Sequence, residues 1–163
     1  MRAKHNDGKI DYLTLGVSRP NPDPALRHLA KLVGKWQMKG RTFDSNHDNI
    51  SGQVTIEWFL GGFFMMQRGA MQSGKFKVNS VEIIGYDPSS KTFPSYVYSD
   101  MSQFHSKYYW YVRGNIVKHW TKGAKYTGKF SADGNTLSGG WRRTGHERKT
   151  PGNTYDVVMT RVR

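Results

Sequence analysis

Apolar and polar residues alternate strictly through Gly34–Arg41. Trp36 and Met38 fall on one side, and Lys35, Gln37, Lys39 and Arg41 on the other. A period of two with one apolar side predicts a strand with one buried and one wet face. Three later hairpins can be registered from their turns. Gly61-Gly62 would pair Leu60 with Phe63, Trp58 with Met65 and Ile56 with Gln67. Gly114-Asn115 would pair Val112 with Val117, Trp110 with His119 and Tyr108 with Thr121. Asp133-Gly134 would pair Phe130 with Leu137, Gly128 with Gly139 and Tyr126 with Trp141. Further strands fall at Val78–Tyr86, Thr92–Ser99 and Thr154–Val162, the first two separated by the turn signal Asp87-Pro88-Ser89-Ser90. Glu57 falls on an outward face near Arg68, as an ion pair would, and Glu82 shares the parity of Ile84 and Tyr86 with neither side favoured.

One stretch breaks this period. Asp23-Pro24 offers an N-cap followed by proline at the first helical position. Leu26, Leu29, Leu32 and Val33 then form one apolar stripe, and Gly34 is placed to stop the helix. The expected fold is therefore all-β: a closed antiparallel up-and-down barrel of about 8–10 strands, with one short N-terminal helix over residues 24–33 covering one end. Residues 1–21 read as a polar tail, and 22–163 as the barrel domain.

Composition narrows the functions open to such a fold. The 163 residues contain no cysteine, which excludes disulfides, thiolate metal sites and a cysteine nucleophile. The histidines show no metal-ligand spacing, so no metal is expected. No Ser-His-Asp order, phosphate loop or HExxH motif is present. The N-terminus has no apolar run of signal-peptide length and no stretch reaches a membrane span, which leads to the expectation of a cytoplasmic protein. Of the net charge of +13, residues 101–163 carry +9. Such a surplus attracts anionic partners and also keeps a protein soluble.

The capped helix, the run Leu32-Val33-Gly34-Lys35-Trp36 and the later Gly85-Tyr86-Asp87-Pro88 resemble an uncharacterised bacterial lipocalin-like family of the calycin superfamily. The likeness spans roughly Ala25 to Val162. It implies a barrel whose end is closed by Trp36, with Arg161 or Arg163 of the last strand packed over the indole. The chain is also similar to the ten-stranded, haem-binding nitrobindin-like barrels. That class takes a histidine from a late strand. Thr154–Val162 contains none and His146 falls in a polar loop, so no cofactor is expected.

The dry faces together supply the candidate site. Trp58, Met65, Gln67, Tyr108, Trp110, His119, Tyr126, Trp141 and Arg143 would line a lumen of apolar walls and a few orienting polar groups. His119 shares its face with Trp110 and no formal charge, whereas His105 has the opposite parity and reads as exposed. Arg143, if inward, needs an anionic partner. The leading expectation is a module that binds an apolar or amphipathic, possibly anionic, small molecule. An alternative is a cofactor-free isomerase or cyclase in the same cavity, with His119 and Tyr108 or Tyr126 exchanging protons. A third is non-specific nucleic-acid binding by Lys107, Arg113, Lys118, Lys122, Lys125 and Lys129 with Tyr109, Tyr111 and Trp120 as stacking platforms.

Overall fold

The structure is a computed structural model that describes residues 18, 20–145 and 154–163. Ten strands run in chain order: β1 (Gly34–Thr42), β2 (Ile50–Phe59), β3 (Phe64–Ser73), β4 (Phe76–Ile84), β5 (Phe93–Ser99), β6 (Ser102–Arg113), β7 (Ile116–Trp120), β8 (Ala124–Phe130), β9 (Thr136–Arg143) and β10 (Tyr155–Arg161). Each pairs antiparallel with the next, and β10 pairs with β1, so the barrel is closed. No strand is left with an unpaired edge, which removes the usual route to edge-to-edge aggregation. The turn-derived registers hold at Trp58↔Met65, Ile56↔Gln67, Trp110↔His119, Val112↔Val117, Gly128↔Gly139 and Tyr126↔Trp141. Two details differ. The Gly61-Gly62 connection is a 3₁₀ turn over Leu60–Gly62 rather than a two-residue hairpin. The ladder of β7 ends at Trp120, where the Thr121 hydroxyl donates to Lys107 O at 2.9 Å instead of continuing the pairing.

The N-terminal helix, Pro24–Leu32, is 3₁₀ rather than α. Its buried residues Leu26, Leu29 and Leu32 are spaced by three, which is the repeat that puts side chains in line on a 3₁₀ helix. The Asp23 carboxylate accepts from Ala25 N at 2.8 Å and caps its start. Gly34 does not end this helix. It is the first residue of β1, at φ +143°, and a Cβ there would collide with the Arg161 guanidinium.

That guanidinium closes one end of the barrel. Arg161 lies opposite Trp36 in the β1–β10 ladder, with its guanidinium 4.2 Å from the indole centroid. It donates to the Val33 carbonyl, to Lys31 O at 3.1 Å and to Gly134 O at 3.2 Å. Trp36 Nε1 donates to Leu32 O at 2.8 Å, so the indole is tied to the helix as well. Leu29, Leu32, Trp36, Val117 and Phe130 are buried together in the core cluster that this arrangement completes. Removing the Arg161 side chain forfeits the cation–π contact and three carbonyl hydrogen bonds. Arg161→Ala should therefore lose about 2 kcal/mol of stability, read as a lower urea midpoint at unchanged m-value; a midpoint equal to wild type would contradict the closure.

Candidate functional site

A cavity of about 230 Å³ lies inside the barrel. Its lining includes Gln67, Tyr108, Trp110, His119, Tyr126 and Trp141 of the residues read from the sequence. Trp58, Met65 and Arg143 are not part of it. Trp58 is 39% exposed near the end of β2, Met65 is wholly buried in the core, and Arg143 is half-buried near the end of β9 beside Ala124. His146 lies outside the described residues. A larger depression, about 1140 Å³, is formed on the outer wall around the wet-face residues Lys39, Arg41 and Arg142. The smaller lumen cavity has aromatic and aliphatic walls with a few buried polar groups, the composition of small-molecule pockets in general.

Glu82 organises those polar atoms, and its role was not legible from parity alone. Its side chain is 2% exposed in the middle of the barrel. Ser95 Oγ donates to Oε1 at 2.5 Å and Trp110 Nε1 donates to the same oxygen at 2.7 Å. Gln67 Nε2 donates to Oε2 at 3.1 Å. His119 Nε2 lies 3.1 Å from Oε1, but its position is off line for a hydrogen bond, so the contact is electrostatic. Groups from β3, β5, β6 and β7 thus converge on one carboxylate of β4. Burial works against its ionisation, but the nearby His119 and the hydrogen bonds from Ser95 and Trp110 outweigh it, leaving the Glu82 carboxyl below its ordinary range.

Aromatic rings hold His119 in place. It stacks on Trp110 at 4.0 Å between centroids, with Tyr108 at 4.9 Å and Trp141 edge-on at 5.2 Å. Tyr126, its cross-strand neighbour, is 5% exposed. The phenol lies over the registered glycines of β8 and β9: a Cβ at Gly128 or Gly139 would strike Tyr126 Oη, at 2.7 Å in the second case. Tyr126 Oη and His119 Nε2 are both buried without an aligned hydrogen-bond partner. Desolvation raises the pKa of Tyr108 and Tyr126, and pushes Tyr155 up to about 12. These phenols therefore stay neutral near physiological pH and act as hydrogen-bonding groups rather than bases.

The outer basic face has its own order. Tyr109 and Trp120 stack at 5.7 Å. Lys107 Nζ sits 5.4 Å from the Tyr109 ring and 5.9 Å from Tyr96, and Lys118 Nζ 5.3 Å from Tyr111. Glu57 pairs with Arg68 across the β2–β3 hairpin as read, and His105 is exposed against Tyr96 and Tyr98. Among the described residues, no three acidic or histidine side chains gather as a metal site would need, and no helix is long and apolar enough to cross a membrane.

A family model described as a protein of unknown function, DUF1579, matches residues 21–146. The chain belongs to this family. No curated protein matches it. Among solved structures it is similar to Rv2717c from M. tuberculosis, at 15% identity and a TM-score of 0.48, over 88% of this chain and 100% of that one.

Two measurements follow from the carboxylate. Glu82→Ala leaves the Ser95, Trp110 and Gln67 donors buried without an acceptor, and should cost about 3 kcal/mol in urea unfolding. The pKa of Glu82 is lowered in the fold, so its ionised form stabilises the protein above the ordinary glutamate value and this contribution is lost as pH falls through the folded value. The stability gap between wild type and Glu82→Gln should accordingly shrink on acidification to about pH 3. A gap that widens toward acid would show that the buried group is held as the neutral acid.

Proposed function

We propose that this barrel binds a small, largely apolar molecule in its lumen, as lipocalin-like proteins of the calycin kind do. The observation that carries the reading is the 230 Å³ cavity, whose lining includes Tyr126 and His119, each with a buried polar atom, Oη and Nε2, that has no aligned partner among the described residues. Buried polar groups are almost always hydrogen-bonded, so such atoms mark where a ligand or ordered water completes the site. The volume sets the scale. A dry cavity of about 150 Å³ accepts benzene. By proportion, the present one takes about nine non-hydrogen atoms, a single ring with a short substituent. The anionic preference expected from Arg143 loses its support, because that residue is outside the lining. An enzymatic reading gains none, since burial keeps the lumen phenols neutral and unable to act as bases.

Trp110 and Trp141 both line the cavity and report on its contents. One-ring aromatic alcohols should change intrinsic tryptophan fluorescence saturably, with Kd on the order of 0.1 mM for a ligand of that size. Val97→Phe, which adds a ring to the cavity wall, should abolish the response while the far-ultraviolet circular dichroism stays that of the barrel. A response that survives the filled cavity would place binding elsewhere; no response from the unfilled protein would reject the proposal.

A further inference from the structure

The acidic group of the cavity lining is Glu82, with His119 Nε2 3.1 Å from its Oε1. The chain carries +13, yet among the described residues neither lysine nor arginine contributes to the cavity lining, and one carboxylate does. The same lining includes five residues with phenol or indole rings: Tyr108, Trp110, Tyr126, Trp141 and Tyr155. Resting on the lumen-binding reading above, we propose that the ligand is a small organic ammonium, a single aromatic or aliphatic group bearing one protonated amine.

Three features of the cavity favour a cation over a neutral or anionic molecule of the same shape. First, the two oxygens of Glu82 are unequally used. Oε1 receives Ser95 and Trp110 and faces His119, whereas Oε2 accepts only from Gln67 at 3.1 Å. An ionised carboxylate has about four lone-pair sites, so Oε2 keeps capacity for an ammonium N–H. Second, aromatic side chains make up much of the lining, and aromatic rings attract cations through their quadrupoles, as in the aromatic cages that hold alkylammonium groups. Third, Tyr126 is on the same lining, and its buried Oη has no hydrogen-bond partner among the described residues. Burial of an ammonium is costly unless it is paired and hydrogen-bonded, and this lining supplies both needs. A ligand carboxylate would meet Glu82 with no lysine or arginine to offset it.

His119 is the internal competitor. It occupies the other side of Oε1 and, when protonated, supplies the counter-charge that the ligand would bring. The groups facing it are Glu82, Tyr108 and Tyr126, with Trp110 and Trp141 completing the enclosure. Of these, Glu82 is the acidic group, so ligand and His119 share one carboxylate.

An isosteric series separates these possibilities: phenethylamine, phenethyl alcohol and phenylacetate share a ring and a two-carbon or nearly equal arm, and differ in charge. Calorimetric titration of the full chain at neutral pH should show the amine binding about tenfold more tightly than the alcohol, and phenylacetate weakest. In Glu82→Gln the amine should fall to the level of the alcohol, whose own affinity stays within about threefold of wild type. Equal affinity for amine and alcohol, or tighter binding of phenylacetate, overturns the ammonium assignment and leaves the lumen reading standing. Failure of all three to bind overturns both. The order measured on the wild-type protein decides the assignment even where Glu82→Gln does not fold.

Discussion

A carboxylate sealed in the middle of a β-barrel must be matched by donors, and the interior of this protein is arranged around that constraint. Glu82 receives hydrogen bonds from Ser95, Trp110 and Gln67 and faces His119, so four neighbouring strands present a polar group to one point. Their inward positions then have little freedom. Trp110 must turn its Nε1 toward Glu82, which lays its ring flat against the imidazole of His119. A half-satisfied network in this setting would be worse than an apolar core, because the low dielectric raises the cost of each unpaired group. The network also accounts for the cavity: side chains turned toward one carboxylate do not fill the space beside it.

Closure of the barrel makes that interior possible. The β1–β10 ladder joins the first and last strands, and Arg161 fastens it by covering Trp36 and reaching three backbone carbonyls. The 3₁₀ helix adds Leu26, Leu29 and Leu32 to the same cluster. Its Lys31 donates to Gly114 O at 2.9 Å and to the Asn115 side chain at 2.8 Å, which ties it to the β6–β7 turn. One end of the lumen is thus packed with aliphatic and aromatic side chains, while the polar atoms and free volume sit deeper along the strands. The guanidinium here spends its charge on structure. Among the described residues, none of the remaining lysines and arginines enters the cavity lining, so the sign of the surface says nothing about the sign of the site.

Most of the barrel was legible because a period of two and a turn together fix which residues face inward. The Gly114-Asn115 and Asp133-Gly134 turns by themselves put Trp110 and His119, and Tyr126 and Trp141, on inward faces, and the ladders agree. The helix was legible as an element but not as 3₁₀, since a stripe at every third residue is compatible with either geometry over two turns. Arg143 and Trp58 have inward parity but sit near strand ends, where parity no longer implies burial. Glu82 was hidden for a different reason. Around it the outward positions are Val81 and Ile83, so the apolar residues do not mark the buried side. The missing signal was the Gly74-Lys75 turn. With Gly74 at φ +58°, that hairpin sets Glu82 opposite Gln67, already read as inward.

The central claim is that the barrel encloses an ionised carboxylate rather than a neutral acid. The protein has three glutamates, so selective ¹³C labelling of glutamate Cδ gives a spectrum simple enough to assign, with Glu82→Gln identifying the buried site. The account predicts that the Glu82 signal holds the chemical shift of an ionised carboxylate from neutral pH to below the ordinary glutamate value of about 4.3. A Glu82 signal at the position of the protonated acid at neutral pH would contradict it.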